Sequence, residues 1–339
     1  MIPFGKIPFG EEEKAAINAC IDSGWVAPGA KSREFEEQFA QYVGAAHAVF
    51  VDSGTSALFL ALQYLKYKNL LSGKIIVPSL TFTATAEELI HAGFDIEFGD
   101  IDPNTYCLKE VTDHSLPVHL YGHRAQNGAL IYDSAHRIEK DDVKGSDALW
   151  CYSFYATKNI SVVTGGMIAT NNTEAYEWLL KARDHGLSAG TKERYSGAYK
   201  QYDVSFIGWR VKGDDLRASI GIEQLKKLPE ITRRRNEIVA QYNKAFGRTW
   251  EGNHVYGVFV ENQEAFVNYM YEHGVQTTVH FRPLHTMTGY QPYYKGESLP
   301  VTEHIGSHEV SLPLFPQLTN DEVEYIVKTV KESGMLLTT

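Results

Sequence analysis

An α/β fold with a largely parallel sheet is the architecture this sequence predicts, and three observations predict it. Short apolar runs alternate with longer helical patterns. No repeat or low-complexity tract breaks the alternation. Polar residues stand just past the ends of several apolar runs, at the edge where open α/β sheets bind ligands.

In chain order, Glu11 to Asp22 gathers Ala15, Ala16, Ala19 and Cys20 on one side and stops at Ser23-Gly24, an amphipathic helix with a glycine end. Ser32 to Val43 repeats this with Phe35, Phe39 and Val43, and Gly44 closes it. Ala48 to Val51 reads as a strand feeding the turn Asp52-Ser53-Gly54-Thr55-Ser56 and a helix from Ala57 to Leu65. Further strands are expected at Ile75–Pro78, Phe94–Phe98, Leu116–Leu120 and Ala129–Tyr132, the last ending at Asp133. Leu216 to Phe246 is helical, and its run Arg233-Arg234-Arg235 reads as a solvated face. A mixed strand and helix region follows. The expected division is a large domain over 1–235 and a smaller C-terminal α+β domain over 236–339, with the N-terminal segment free to pack on the smaller one.

Composition narrows the function. The 339 residues are 43% hydrophobic, enough for a large core. The formal charge of -10 and the lack of a basic tract that could neutralise a row of phosphates argue against a nucleic-acid partner. Cys20, Cys107 and Cys151 are too few and too scattered for a disulfide framework or a zinc site, so no metal is expected. With no leader pattern and no apolar run of membrane-spanning length, the expectation is a soluble cytoplasmic protein without a membrane partner.

Four segments carry chemistry. In Ser153-Phe154-Tyr155-Ala156-Thr157-Lys158, followed by Gly165-Gly166, a lysine that loses its proton readily could form a Schiff base while the serine holds a phosphate; a surface lysine in a loop is the alternative. Ile131-Tyr132-Asp133-Ser134-Ala135-His136 ends a strand on an acid that could keep a pyridine nitrogen protonated, with an imidazole to meet the ring; Asp133 could equally cap a helix. Ser53-Gly54-Thr55-Ser56 could receive a phosphate on backbone N–H groups at a helix start. Phe82, in Thr81-Phe82-Thr83, could lie on a pyridine ring or simply join the core.

Together and in this order, these segments resemble the sugar aminotransferases of the DegT/StrS type, which use pyridoxal 5'-phosphate (PLP) on the aspartate-aminotransferase-like fold, fold type I. The resemblance extends through Asp22-Ser23-Gly24-Trp25, Val77-Pro78-Ser79-Leu80-Thr81-Phe82, Val118-His119-Leu120-Tyr121-Gly122, Asp184-His185-Gly186, Ala218 to Leu225 and Leu312-Pro313-Leu314. It implies a mainly parallel mixed sheet flanked by helices in the large domain, Lys158 as the internal aldimine, Asp133 on the pyridine nitrogen and His136 on the ring hydroxyl. It further implies Ser153, Thr55 and Ser56 on the phosphate and Phe82 against the ring. In the family pattern an amino acid, usually L-glutamate, leaves its nitrogen as pyridoxamine phosphate, and a nucleotide-linked keto-sugar collects it. A homodimer with shared active sites is implied as well.

Two departures stand out. The stretch from Gly122 to Asp133 is shorter than the family's, with a crossover helix trimmed to Arg124-Ala125-Gln126-Asn127-Gly128. In Gly208-Trp209-Arg210-Val211-Lys212 an arginine holds the usual asparagine position, which makes Arg210 the candidate for a phosphate contact across the dimer. His185, Arg282 and His285 are the candidates for substrate contacts. The competing functions are a keto-cyclitol aminotransferase, a PLP-dependent sugar dehydratase, disfavoured because the known variant has histidine where Lys158 stands, and a non-catalytic homologue that keeps the fold.

Overall fold

The computed structural model describes residues 1–188 and 201–337. Its elements, in chain order, begin with helices α1 (Glu11–Asp22) and α2 (Ala30–Val43), strand β1 (His47–Val51) and helix α3 (Gly54–Tyr67). They continue through β2 (Lys74–Pro78), α4 (Thr83–His91), β3 (Asp95–Gly99), β4 (Ile131–Asp133), β5 (Leu149–Ser153), β6 (Gly166–Thr170) and α5 (Thr173–Ala182). The long α6 (Asp215–Phe246) leads to β7 (Tyr256–Phe259), α7 (Gln263–Glu272), α8 (Pro300–His308), β8 (Glu309–Leu312) and α9 (Asn320–Glu332).

The main sheet has the order β1-β6-β5-β4, in which β6 runs antiparallel to both neighbours and β4 pairs β5 in parallel. The parallel pair β2 and β3 joins this sheet through residues 115–118, by the parallel bridges Ile76↔Ser115 and Val118↔Asp133. The combined order β3-β2-(115–118)-β4-β5-β6-β1 is therefore parallel except at β6. The sequence predicts a full strand over Leu116–Leu120, and here the structure differs. Pro117 has no N–H for a ladder, and the chain leaves the sheet at Tyr121, whose φ is 60°.

Apolar periodicity explains the layers. Phe35 and Phe39, one turn apart on α2, are fully buried against Phe50, Tyr152 and Phe154 of the sheet side, with ring centroids 5.0–5.4 Å apart for Phe35–Phe50, Phe39–Tyr152 and Phe39–Phe154. Asp215 ties α2 to α6: its Oδ1 accepts from Gly29 N at 2.7 Å, Ser32 N at 2.8 Å and Ser32 Oγ at 2.7 Å, placing an anion at the start of α2.

A second core surrounds the antiparallel pair β7 and β8. The N-terminal segment pairs with this region, Ile2 N donating to Gly274 O at 2.7 Å and Gln276 N to Ile2 O at 2.9 Å. Helix α6 runs through position 235 into it, and there the expected solvated face needs correction. Ile231, Arg235, Ile238 and Tyr242 occupy one buried face, with Arg235 only 5% exposed.

Candidate active site

Ligand-facing groups collect at one edge of the sheet because the parallel strands end there and the antiparallel β6 begins there. Ser53 follows β1, Thr81 follows β2, Asp133 ends β4, Ser153 ends β5, and Thr164 and Gly165 precede β6; all line one cavity of about 760 Å³. The edge is closely packed. A Cβ on Gly54 would lie 2.7 Å from Ser153 Cβ, and one on Gly166 would lie 2.2 Å from Ser53 O, so the helix start and the β5–β6 ends meet only because both positions are glycine.

Lys158 sits in the loop after β5, half-buried in this cavity, its N–H bonded to Tyr155 O at 2.9 Å. Burial pushes its amine down to about 8, against the pull of the Asp133 carboxylate. Asp133 is buried; its Oδ2 accepts from Thr85 Oγ1 at 2.8 Å and its Oδ1 from Ala135 N at 2.9 Å. Burial raises its pKa despite these donors and Lys158. A carboxyl so placed gains from a cationic partner, and a protonated pyridine nitrogen supplies one.

His136 is buried and its Nδ1 accepts from Tyr121 N at 3.3 Å, so Nε2 carries its proton; burial, then Lys158, holds it well below the ordinary histidine range. At the start of α3, Ser53 Oγ accepts from Ser56 N at 3.0 Å and meets Ser56 Oγ at 2.9 Å. Ser56 is thus engaged in the helix cap and stays out of the cavity lining, while Thr55 and Gly54 face the cavity. Phe82, 56% exposed, lines the cavity mouth next to Phe281, ring centroids 6.0 Å apart.

The other expected contacts lie outside this lining. His185 is exposed, its N–H bonded to Trp209 O at 2.8 Å. Arg282 is exposed and folds back on Thr286 at 3.2 Å. His285 is buried between Ser79 Oγ, 2.7 Å from Nδ1, and Glu303, 3.6 Å from Nε2, which is a packing role. Arg210 is exposed beside the isolated bridge to Asp184.

Sequence reasoning missed the far wall: Phe4 to Ile7, Arg235, His254, Gln276, His280 and Phe281. Residues 276–280 form an extended segment that bridges β8 at Thr278, so Gln276 and His280 point the same way. That two-residue alternation was the available signal. Arg235 Nη1 bonds Leu314 O at 2.9 Å, His254 O at 3.2 Å and Asn253 O at 3.3 Å.

Comparison with known proteins bears on the family and the fold. The model of the DegT/DnrJ/EryC1/StrS aminotransferase family matches residues 8–331. The spore coat polysaccharide biosynthesis protein SpsC of Bacillus subtilis (strain 168) is 33% identical over 98% of this chain and 96% of its own length. Among solved structures, PseC of Helicobacter pylori, an aminotransferase involved in the biosynthesis of pseudoaminic acid, has a TM-score of 0.86 at 22% identity, covering 97% of this chain and 98% of its own. Spr1654 from Streptococcus pneumoniae in its PMP-form has a TM-score of 0.86 at 23% identity over 98% of each chain, and a PLP-form shares the fold. No helix among the described residues is long and apolar enough to cross a membrane.

Proposed function

Because this chain belongs to the DegT/DnrJ/EryC1/StrS aminotransferase family, we propose that it is a PLP-dependent sugar aminotransferase that moves an amino group from an amino acid, L-glutamate in the first instance, to a nucleotide-linked keto-sugar. The observation that carries this is Lys158: an amine brought down to about 8 beside a buried Asp133, in a cavity rimmed by a helix N-terminus.

The residues fit PLP. Lys158 would hold it covalently, Asp133 would keep its ring nitrogen protonated, His136 would offer Nε2–H to the ring hydroxyl, and Phe82 would stand against the ring. Thr55, the backbone at Gly54 and Ser153 receive the phosphate, with Ser56 supporting that turn through its bond to Ser53. When bound, PLP supplies an electrophilic carbon and an electron sink. The Lys158 amine would serve as base and then acid for the proton on the substrate carbon, a role suited to its value of about 8. The substrate class is supported by the cavity's size, ample for more than a free amino acid, and by the polysaccharide role in the name of SpsC.

A homodimer with shared sites completes the proposal. Arg210 is exposed, and so are Tyr202, Val204 and Ile207 nearby, Ile207 at 85%, as befits a surface that a second copy covers. Arg210 then reaches the partner subunit's cofactor phosphate. His185 and Arg282, exposed here, contact the sugar nucleotide in the same assembly, and His285 acts from beneath by holding the segment that carries Arg282 against Ser79.

Borohydride treatment of the PLP-loaded protein tests the reading. The expected product is one stable adduct on Lys158, located by peptide mass spectrometry; an adduct elsewhere, or none, overturns it.

A further inference from the structure

The three cavity histidines differ in how their protons are fixed. His136 accepts at Nδ1 from a backbone N–H at 3.3 Å and so carries its proton on Nε2. His254 meets Asn159 Oδ1 with Nδ1 at 2.8 Å; the Asn159 amide is oriented by donating to Asn253 Oδ1 at 3.4 Å, and Asn253 Nδ2 donates to Glu139 at 2.8 Å. That chain ends on a carboxylate, so His254 carries its proton on Nδ1.

His280 has no such fixed partner. Its Nδ1 lies 2.9 Å from Ser311 Oγ, and the same hydroxyl lies 2.5 Å from Glu309 Oε1. The hydroxyl owns one proton and can donate to only one of them. With Glu309 ionised, Ser311 donates to the carboxylate and must accept from His280 Nδ1–H, leaving Nε2 as an acceptor. With Glu309 protonated, the carboxyl donates to Ser311, Ser311 donates to Nδ1, and the ring proton sits on Nε2. We propose that Glu309 is a positioning residue whose proton, relayed through Ser311, decides whether His280 offers the Lys158 cavity a donor or an acceptor.

The surroundings suit a carboxyl that changes state. Glu309 is 1% exposed, its Oε2 accepts from His280 N at 3.0 Å, and among the described residues no cation pairs with it. Burial pushes it up to about 8, against the Ser311 and His280 bonds. From β7, Gly257 closes over it, a Cβ there lying 3.0 Å from Oε1 and 2.9 Å from the ring of Trp250. Arg248 turns to Phe259, 4.6 Å from its ring, and to Gly257 O at 3.5 Å. The Tyr106 and Tyr121 phenols are raised by burial and by Glu309, so they stay neutral alongside it. On the cavity side, burial and then Lys158 hold His280 at about 4, so its ring changes tautomer without gaining charge.

The relay balances. In the donor state, loss of the Nε2 proton to a base in the cavity is matched by transfer of the Ser311 proton to Nδ1 and of the Glu309 proton to Ser311. The net donor is Glu309, and nothing is oxidised or reduced. The use of this proton in catalysis rests on the function proposed above; the relay itself can be tested without it.

The test is a two-dimensional nitrogen–proton spectrum of the histidines in the cofactor-free protein, followed from about pH 6 to about pH 9.5, with His280 assigned from a His280→Gln variant. The expected result is a ring proton on Nε2 at the acid end and on Nδ1 at the alkaline end, reversing near the Glu309 value of about 8. Glu309→Gln should keep Nε2–H throughout, because the amide oxygen accepts from His280 N and its NH2 donates to Ser311. Ser311→Ala breaks the relay by another route and should also abolish the reversal, which covers a Glu309→Gln protein that does not fold. A single tautomer in the wild type at every pH, or a reversal that persists in either variant, overturns the proposal. Failure of the aminotransferase reading would show separately, in borohydride trapping.

Discussion

Lys158 costs the fold something before it does any chemistry. Its value of about 8 lies below the ordinary 10.5, so below about pH 8 the folded chain shelters an ammonium that the unfolded chain keeps in water. That cost is full below pH 8, shrinks as pH rises towards 10.5 and is absent above it. Lys158→Met should therefore stabilise the cofactor-free protein at neutral pH by ~2–3 kcal/mol, a gain that fades towards alkaline pH in urea titrations. A pH-independent difference would mean the amine is not buried as described. Asp133→Asn keeps the shape and removes the charge, so turnover should fall by roughly two to four orders of magnitude with cofactor binding less affected; near-full turnover would reduce Asp133 to a structural acid. Both residues were legible in the sequence because Asp133 closes one apolar strand and Lys158 stands in the loop after the next, past Ser153. His254 and His280 were not, since their place depends on a wall built from segments far from Lys158 and Asp133 in the chain. The sequence signal pointed to His285, but Ser79 and Glu303 occupy that ring.

Most elements were legible from period and punctuation. The bounds of α1 match the expected ones, and Gly44 ends α2 with φ 74°, the left-handed value glycine adopts freely. Two misjudgements have local causes. Leu116–Leu120 has the composition of a strand, yet Pro117 and the turn at Tyr121 limit it to bridges. Arg233-Arg234-Arg235 was treated as one charged block, although Arg235 shares the helical face of Ile231 and Ile238, a spacing that marks it as inward. The join between α2 and α6 was invisible, because it depends on Asp215 meeting residues far away in sequence. Asp215→Ala should lower unfolding stability by ~3 kcal/mol, since several bonds to one buried carboxylate are lost at once. Asp214→Ala, which removes the cap bond to Arg217 N at 2.9 Å and a partly exposed ion pair with the Arg217 side chain at 2.7 Å, should cost ~1 kcal/mol. Equal losses in the two variants would show that the tie across helices carries no special weight.

At the scale of the whole molecule, the order of motifs along the chain made the fold class readable, since parallel strands return their ends to one edge and gather the motifs there. The subunit arrangement was readable only through the resemblance. If Arg210 acts on the neighbouring site, mixing inactive Lys158→Ala and Arg210→Ala subunits should restore activity above either parent, because each hybrid holds one site free of both defects. No gain in proven hybrids would remove Arg210 from that role. The most direct test of the central claim uses the protein loaded with pyridoxamine phosphate and a panel of nucleotide-linked keto-sugars, watching in single turnover for the absorbance of cofactor returned to Lys158. The account predicts that at least one keto-sugar restores it and leaves with the amino group, and that Lys158→Ala abolishes the return. Loss of the amino group to none of the sugars, with a simple keto acid as the only acceptor, would contradict it.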